Sequence, residues 1–165
     1  MSSKTVYFAY GSNLWLDQMG RRCPESKFIG IASLNDWKWI INIRGCATII
    51  PSAGDIVYGF LFELSAQDVL NLNGFEGNMY ERQTIPVEPV NKKESPPKDS
   101  VDSLVYVDIE RKSESQPRKE YIYRMNMAIA DGLREGIPSD YMDKYLRTFI
   151  PPSENEDFSD VTIKK

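Results

Sequence analysis

The chain contains no histidine. That absence removes the Ser-His-Asp triad, the Cys-His pair, the His-containing zinc sites and the His-x-Glu deaminase signature. An enzyme built from this sequence and working near neutral pH must move protons with a carboxylate, Lys, Tyr, Cys or the substrate itself. Cysteine is scarce too: Cys23 and Cys46 allow one bridge at most, not a disulfide scaffold. With no histidine beside them they cannot complete a tetrahedral zinc site unless carboxylates or another chain supply the rest. No stretch approaches the roughly 18 to 20 apolar residues of a membrane span. The opening MSSKTVYFAYGSN has too short an apolar run for a signal peptide. A net charge of −4 offers no excess of cations for a phosphate backbone. The expectation is a cytoplasmic chain with free thiols, binding neither nucleic acid nor membrane and needing no metal.

What is present fits one globular domain: 165 residues, 41% apolar and 27% charged. Thr5 to Tyr10 reads as a buried strand ending in a Gly-Ser-Asn turn, and Leu14 to Arg22 as a short helix stopping before Pro24. Lys27 to Ile43 partly alternates as a strand, with a break near Asn35-Asp36. Ala47 to Ile50 is a short strand ended by Pro51. Ile56 to Leu64 is the strongest strand, with Gly59 marking a bulge or a close backbone approach. Ser65 caps a short helix to Leu72, with Asp68 three residues on. Gly74-Phe75-Glu76-Gly77 ends it. Tyr80 to Val90 reads as a strand broken near an edge by Pro86 and Pro89. A polar loop (91–100) leads to a strand over Ser103 to Ile109. Glu120 to Glu135 has helical spacing with Gly136 as a stop, and a second helix covers Pro138 to Phe149. The residues from 153 to 165 form an acidic tail outside a single domain over 1–152. Six or so strands followed by helices predict an α+β fold, a small mixed or barrel-like sheet with peripheral helices.

Three features could carry chemistry. In Tyr10-Gly11-Ser12-Asn13-Leu14 a strand runs into small turn-forming residues whose N–H groups could cradle an anion. It could equally be a plain turn with Ser12 or Asn13 as cap. Glu76, flanked by Phe75 and glycines, could sit in a half-buried cleft with a raised pKa, or be a solvated loop residue. Nine tyrosines are many for this length, and some could line a small polar pocket while others pack the core. Cys23 beside Arg22 could have a lowered pKa, although without a base a structural role fits better.

The first two features together resemble the γ-glutamylcyclotransferase family. Tyr7-Phe8-Ala9-Tyr10-Gly11-Ser12-Asn13-Leu14 is followed much later by Asn73-Gly74-Phe75-Glu76-Gly77 and Met79-Tyr80. Between them, Arg44 to Ile49 looks like the family's Gly-x-Ala-Thr strand. Gly54 to Phe62 looks like its V-x-G strand, and Pro117 to Tyr141 like its terminal helical region. The resemblance implies a small mixed β-barrel with helices around it. It also implies that a γ-glutamyl group is cut off by its own α-amine, releasing 5-oxoproline. By position, Glu76 becomes the catalytic acid and base, and Tyr10, Gly11, Ser12, Asn13 and Leu14 the substrate loop. Tyr80, Tyr106 and Tyr121 become pocket residues, with Tyr123 an alternative to Tyr121.

The acidic residue often found three positions before the Glu is Asn73 here. The Gly77–Tyr80 loop is short, as in the avirulence-induced-gene-like branch. These departures keep γ-glutamylamines and glutathione adducts open beside γ-glutamyl amino acids. They also keep open a homologue that binds but does not turn over; an adaptor role has only the acidic tail in its favour. No cofactor or metal is implied, the partner is a small γ-glutamyl molecule, and a homodimer remains open.

Overall fold

The computed structural model describes residues 4–90 and 100–153. The expected polar loop and acidic tail therefore fall outside the described residues, except for Ser100 and Ser153. Five strands close into a barrel: β1 (Thr5–Ala9), β2 (Lys27–Ile41), β3 (Ala47–Leu64), β4 (Glu81–Pro89) and β5 (Val101–Val107), in the order β1-β3-β2-β4-β5. Closure comes from β1, which pairs antiparallel with β3 (Tyr7 opposite Phe62) and parallel with β5 (Tyr7 opposite Leu104). The remaining pairings are antiparallel, so the sheet is mixed, as the α+β reading expected. Helices α1 (Leu16–Arg22), α2 (Ala66–Glu76), α3 (Lys119–Glu135) and α4 (Ser139–Tyr141, continued as a π-helical turn over Met142–Leu146) lie around it.

Two predicted strands are one. Ala47 to Ile50 and Ile56 to Leu64 belong to a single β3 that runs through Pro51. Its partner β2 changes register between Asn35 and Trp37, and Pro51 stands opposite Trp37 at that irregularity. There the regular ladder is interrupted, and a missing N–H costs little. Asp36 takes a left-handed conformation (φ 71°) and its carboxylate accepts from the Gly54 N–H at 3.0 Å. The break expected near Asn35-Asp36 is thus a bulge, not a strand end. Gly59 answers to a close approach: a Cβ there would lie 2.3 Å from the Ala9 carbonyl oxygen and 2.8 Å from the Phe8 ring. Pro86 and Pro89 do not break β4. Pro86 pairs only toward β5, opposite Asp102, while β2 meets β4 only at Glu88 and Pro89.

The core lies inside the barrel and under α3. Phe8, Trp39, Ile49, Phe60 and Leu64 are fully buried, and α3 contributes Tyr121, Met125, Ala128 and Ile129 from one face. That spacing of three and four residues is an apolar helical stripe. Gly136 ends α3 in the left-handed conformation (φ 116°) that glycine adopts without strain. Helix α2 starts on the expected box. Ser65 Oγ accepts from the Asp68 N–H at 3.1 Å, and the Asp68 carboxylate accepts from the Ser65 N–H at 3.3 Å. It then runs one turn past the expected end, so Glu76 is its last residue rather than part of a loop.

Candidate functional site

At the end of β1 the chain turns sharply over the barrel mouth. The indole N–H of Trp39 donates to the Tyr10 carbonyl at 2.9 Å, and the Tyr10 hydroxyl donates to the Tyr106 carbonyl. Ser12–Leu14 form one 3-10 turn. Its small side chains are already engaged: Gln18 Nε2 donates to Ser12 Oγ and Asn13 Oδ1, both at 2.9 Å, and Asn13 Nδ2 donates to the Tyr7 hydroxyl oxygen at 3.1 Å. The turn is tied to α3 by the Leu16 N–H, which donates to the Asp131 carboxylate at 2.8 Å. Gly11 is the position of closest approach, where a Cβ would lie 3.1 Å from the Tyr121 hydroxyl.

This turn, the end of α2 and the start of α3 enclose a cavity of about 120 Å³. Of the residues singled out from the sequence, Glu76, Tyr10, Gly11, Ser12, Asn13, Tyr80, Tyr106 and Tyr121 all line it. Leu14 does not. It is fully buried in the core, and its N–H is donated to the Gly11 carbonyl at 3.0 Å, which withdraws it from ligand binding. Tyr123 is also elsewhere, more than half exposed and packed edge-on against Trp15. Tyr58, on the far part of β3, packs against Tyr141.

Glu76 is half-buried as a residue and lines the cavity. Desolvation pushes its pKa up to about 7, against the partial pull of Arg22 and Arg44 toward the charged form. Such a group exchanges protons readily near neutral pH. The tyrosine rings around it are held in place rather than left free. Tyr80 donates its hydroxyl to the Ala47 carbonyl at 2.8 Å, and Tyr106 donates to Asn73 Oδ1. The side chain standing where an acid is often found thus anchors a pocket tyrosine. Burial raises the Tyr7, Tyr10, Tyr80 and Tyr121 hydroxyls above the ordinary tyrosine range, so all four stay neutral.

Sequence reasoning missed the cations. Four arginines line the cavity: Arg22, Arg44, Arg118 and Arg124. Arg44 stacks over the Tyr80 ring at 5.5 Å, and its Nη1 is buried with no hydrogen-bond acceptor among the described residues. A buried orphan donor is costly, and an anionic ligand would relieve it. Arg118 is admitted by Gly45, where φ is 80° and a Cβ would lie 2.3 Å from Arg118 Cγ. The signal lay in the quoted Arg44-Gly45-Cys46 stretch, but a lone arginine beside a turn glycine does not say which way it points. Cys46 also borders the cavity, with Arg118 Nη2 3.4 Å from its sulfur. Burial pushes the Cys23 thiol up to about 12, opposite to the activation that Arg22 could have supplied. Among the described residues no cluster of three or more Cys, Asp or Glu converges on a point where a metal could sit. No helix among them is long and apolar enough to cross a membrane.

Residues 7–126 match the model of a family described as "Gamma-glutamyl cyclotransferase, AIG2-like". A mouse protein named gamma-glutamylcyclotransferase is 28% identical over 175 aligned positions, covering 90% of this chain and 80% of its own. A bovine protein of the same name is 33% identical over 82 positions, and that match spans only 44% of the bovine chain. Among solved structures, one named gamma-glutamyl cyclotransferase superposes with a TM-score of 0.74 at 24% identity, covering 92% of this chain and 90% of its own. A yeast cyclotransferase described as specific to glutathione gives 0.60 at 15% identity, covering 88% and 95%. At these identities the superpositions speak for a shared fold.

Proposed function

The chain belongs to the gamma-glutamyl cyclotransferase, AIG2-like family, and on that premise we propose that it cyclises the γ-glutamyl group of γ-glutamyl amino acids or peptides to 5-oxoproline. Glu76 is the proton carrier. Its carboxylate takes a proton from the substrate's α-ammonium, and the freed amine attacks the side-chain carbonyl carbon. A carbon–nitrogen bond forms within the glutamyl unit while the bond to the downstream nitrogen breaks. Glu76 carries two protons in turn from the attacking nitrogen, which ends as the N–H of the ring amide, to the downstream nitrogen, which leaves as an ammonium. Nothing is oxidised or reduced, and no nucleophile from the protein is needed.

The observation that carries this reading is Glu76 itself, one carboxylate with a pKa near 7 on the wall of a small cavity rich in arginine. A general acid and base works best when its pKa lies near the working pH. The cavity volume suits one glutamyl unit, and holding its amine against its own carbonyl lowers the barrier through proximity. The unpaired Nη1 of Arg44 suits the substrate's α-carboxylate. The neutral tyrosines wall the site without competing for the proton.

The test is release of 5-oxoproline from a panel of γ-glutamyl amino acids. The wild-type protein produces it, and Glu76→Gln lowers kcat by about 10²- to 10⁴-fold while circular dichroism stays unchanged. A Glu76→Gln rate close to that of the wild type would remove Glu76 from this role. No 5-oxoproline from any panel member would remove the reaction.

A further inference from the structure

Beyond the glutamyl unit assigned to the cavity, a γ-glutamyl conjugate carries a downstream residue that needs a place of its own. A second concavity adjoins, a groove of about 530 Å³ between α1 and α3. It shares Arg22, Phe75 and Arg124 with the cavity, so the two spaces lie side by side. Three of its lining residues are aromatic, Trp15, Phe75 and Tyr123, beside Gln18, Arg21 and Glu120. Trp15 and Tyr123 meet edge-to-face at 5.8 Å, and Phe75 lies under the Arg22 guanidinium at 4.6 Å. Phe75 and Tyr123 are 56% and 54% exposed, uncovered aromatic surface beside a charged mouth.

The charges at that mouth are cationic. The groove's one carboxylate, Glu120, is already paired with Arg124 at 2.7 Å. The hydrogen bond of the Arg22 guanidinium among the described residues is a long one, 3.4 Å to Asn13 Oδ1. Arg22 lines both the cavity and the groove, and its guanidinium could donate two N–H groups at once to a carboxylate lying between them. Arg21 already stands over the Trp15 ring at 5.2 Å, and the exposed parts of the Phe75 and Tyr123 rings offer contact to a ligand ring.

We propose that this groove is the subsite for the leaving half of the substrate, and that it selects an aromatic α-amino acid with a free carboxylate. The ring lies against Trp15, Phe75 and Tyr123, and the carboxylate on Arg22. The inference rests on the cyclotransferase reading and narrows it. γ-Glutamylamines have the amide but no carboxylate for Arg22, and γ-glutamylglycine has the carboxylate but no ring for the groove.

Two measurements test it separately from turnover. The first compares kcat/KM for 5-oxoproline release from γ-glutamylphenylalanine, γ-glutamylglycine and γ-glutamylphenethylamine. Loss of either the ring or the carboxylate lowers kcat/KM by roughly tenfold or more, the scale of one buried ring or one charged hydrogen bond. Tyr123→Ala narrows the phenylalanine-to-glycine ratio, and Arg22→Gln narrows the phenylalanine-to-phenethylamine ratio. Equal kcat/KM for the three compounds, or ratios untouched by these substitutions, overturns the subsite while leaving the reaction standing. The second titrates the wild-type protein with glutarylphenylalanine, glutarylglycine and glutarylphenethylamide, which lack the attacking amine and cannot cyclise. Tighter binding of the first by roughly tenfold supports the subsite even if no compound is turned over. Equal binding, or none, overturns it.

Discussion

At the scale of single residues, the site is one carboxylate among cations and neutral phenols. Its position carries a stability consequence with a definite sign. In the folded chain Glu76 holds its proton to about pH 7, against an ordinary value of 4.5. Between those values the folded state binds more protons than the unfolded one, so stability falls as pH rises. Full ionisation removes up to about 3 kcal/mol relative to the protonated form. Glu76→Gln abolishes that loss. In urea denaturation the substituted protein should match the wild type at pH 4 and exceed it at pH 8. Equal midpoints at pH 8 would show that the carboxyl is solvated rather than desolvated. The same ionisation should appear in catalysis: wild-type kcat/KM rises with pH through about 7 as the base becomes available. Glu76 and its glycines were visible in the sequence because a motif carried them. Arg22, Arg118 and Arg124 were not, since each sits in a charged or turn-like stretch that reads as solvated surface.

At the scale of elements, local signals marked starts better than stops. Ser65 and Asp68 form the box that the sequence spells out, because both groups lie within one helical turn. The Gly74-Phe75-Glu76-Gly77 segment reads as the end of α2, whereas the helix continues to Glu76 and Gly77 is the residue there with positive φ. That added turn aims Glu76 at the cavity. Strand β3 is a similar case: Pro51 looks like a terminator, but an irregularity in the pairing with β2 near Asp36 absorbs it. Gly59 shows what packing demands of one position in that strand. A methyl group there meets the Ala9 carbonyl and the Phe8 ring, and neither the backbone of β1 nor a fully buried ring can yield freely. Gly59→Ala should therefore cost about 1–3 kcal/mol in urea denaturation. An unchanged midpoint would show that β1 shifts without penalty.

At the scale of the molecule, the site is an outcome of closure. Strand β1 lies between β3 and β5, so the turn after it stands over the barrel mouth. Helix α2 follows β3 directly and delivers Glu76 to the same mouth, while α3 crosses it and presents Tyr121 and Arg124. Asp131 is the cross-brace, buried on α3 and accepting from the Leu16 N–H just past the turn. Asp131→Ala should release the turn from α3, raising KM for a γ-glutamyl substrate more than it lowers kcat, and destabilising the fold by about 1–3 kcal/mol. Asp131→Asn keeps an acceptor oxygen and should restore most of the KM. A parallel loss of kcat and KM in both variants would mean that Asp131 acts only on global stability.

The sequence by itself determined the chemistry that was open to this chain. The missing histidine closed the imidazole routes. The Tyr-Gly-Ser-Asn turn and Glu76 marked two parts of a site, and alternation and capping placed most of the elements. Each of these is local, set by a few neighbouring residues and their covalent geometry. The tertiary structure alone decided which groups meet. It withdrew Leu14 into the core, chose Tyr121 over Tyr123 for the cavity wall, and brought four arginines from three stretches of chain to the cavity that Glu76 lines. Those contacts bridge residues far apart in sequence, and desolvation, which sets the proton affinity of Glu76, depends on what folding stacks above a group rather than on its neighbours along the chain.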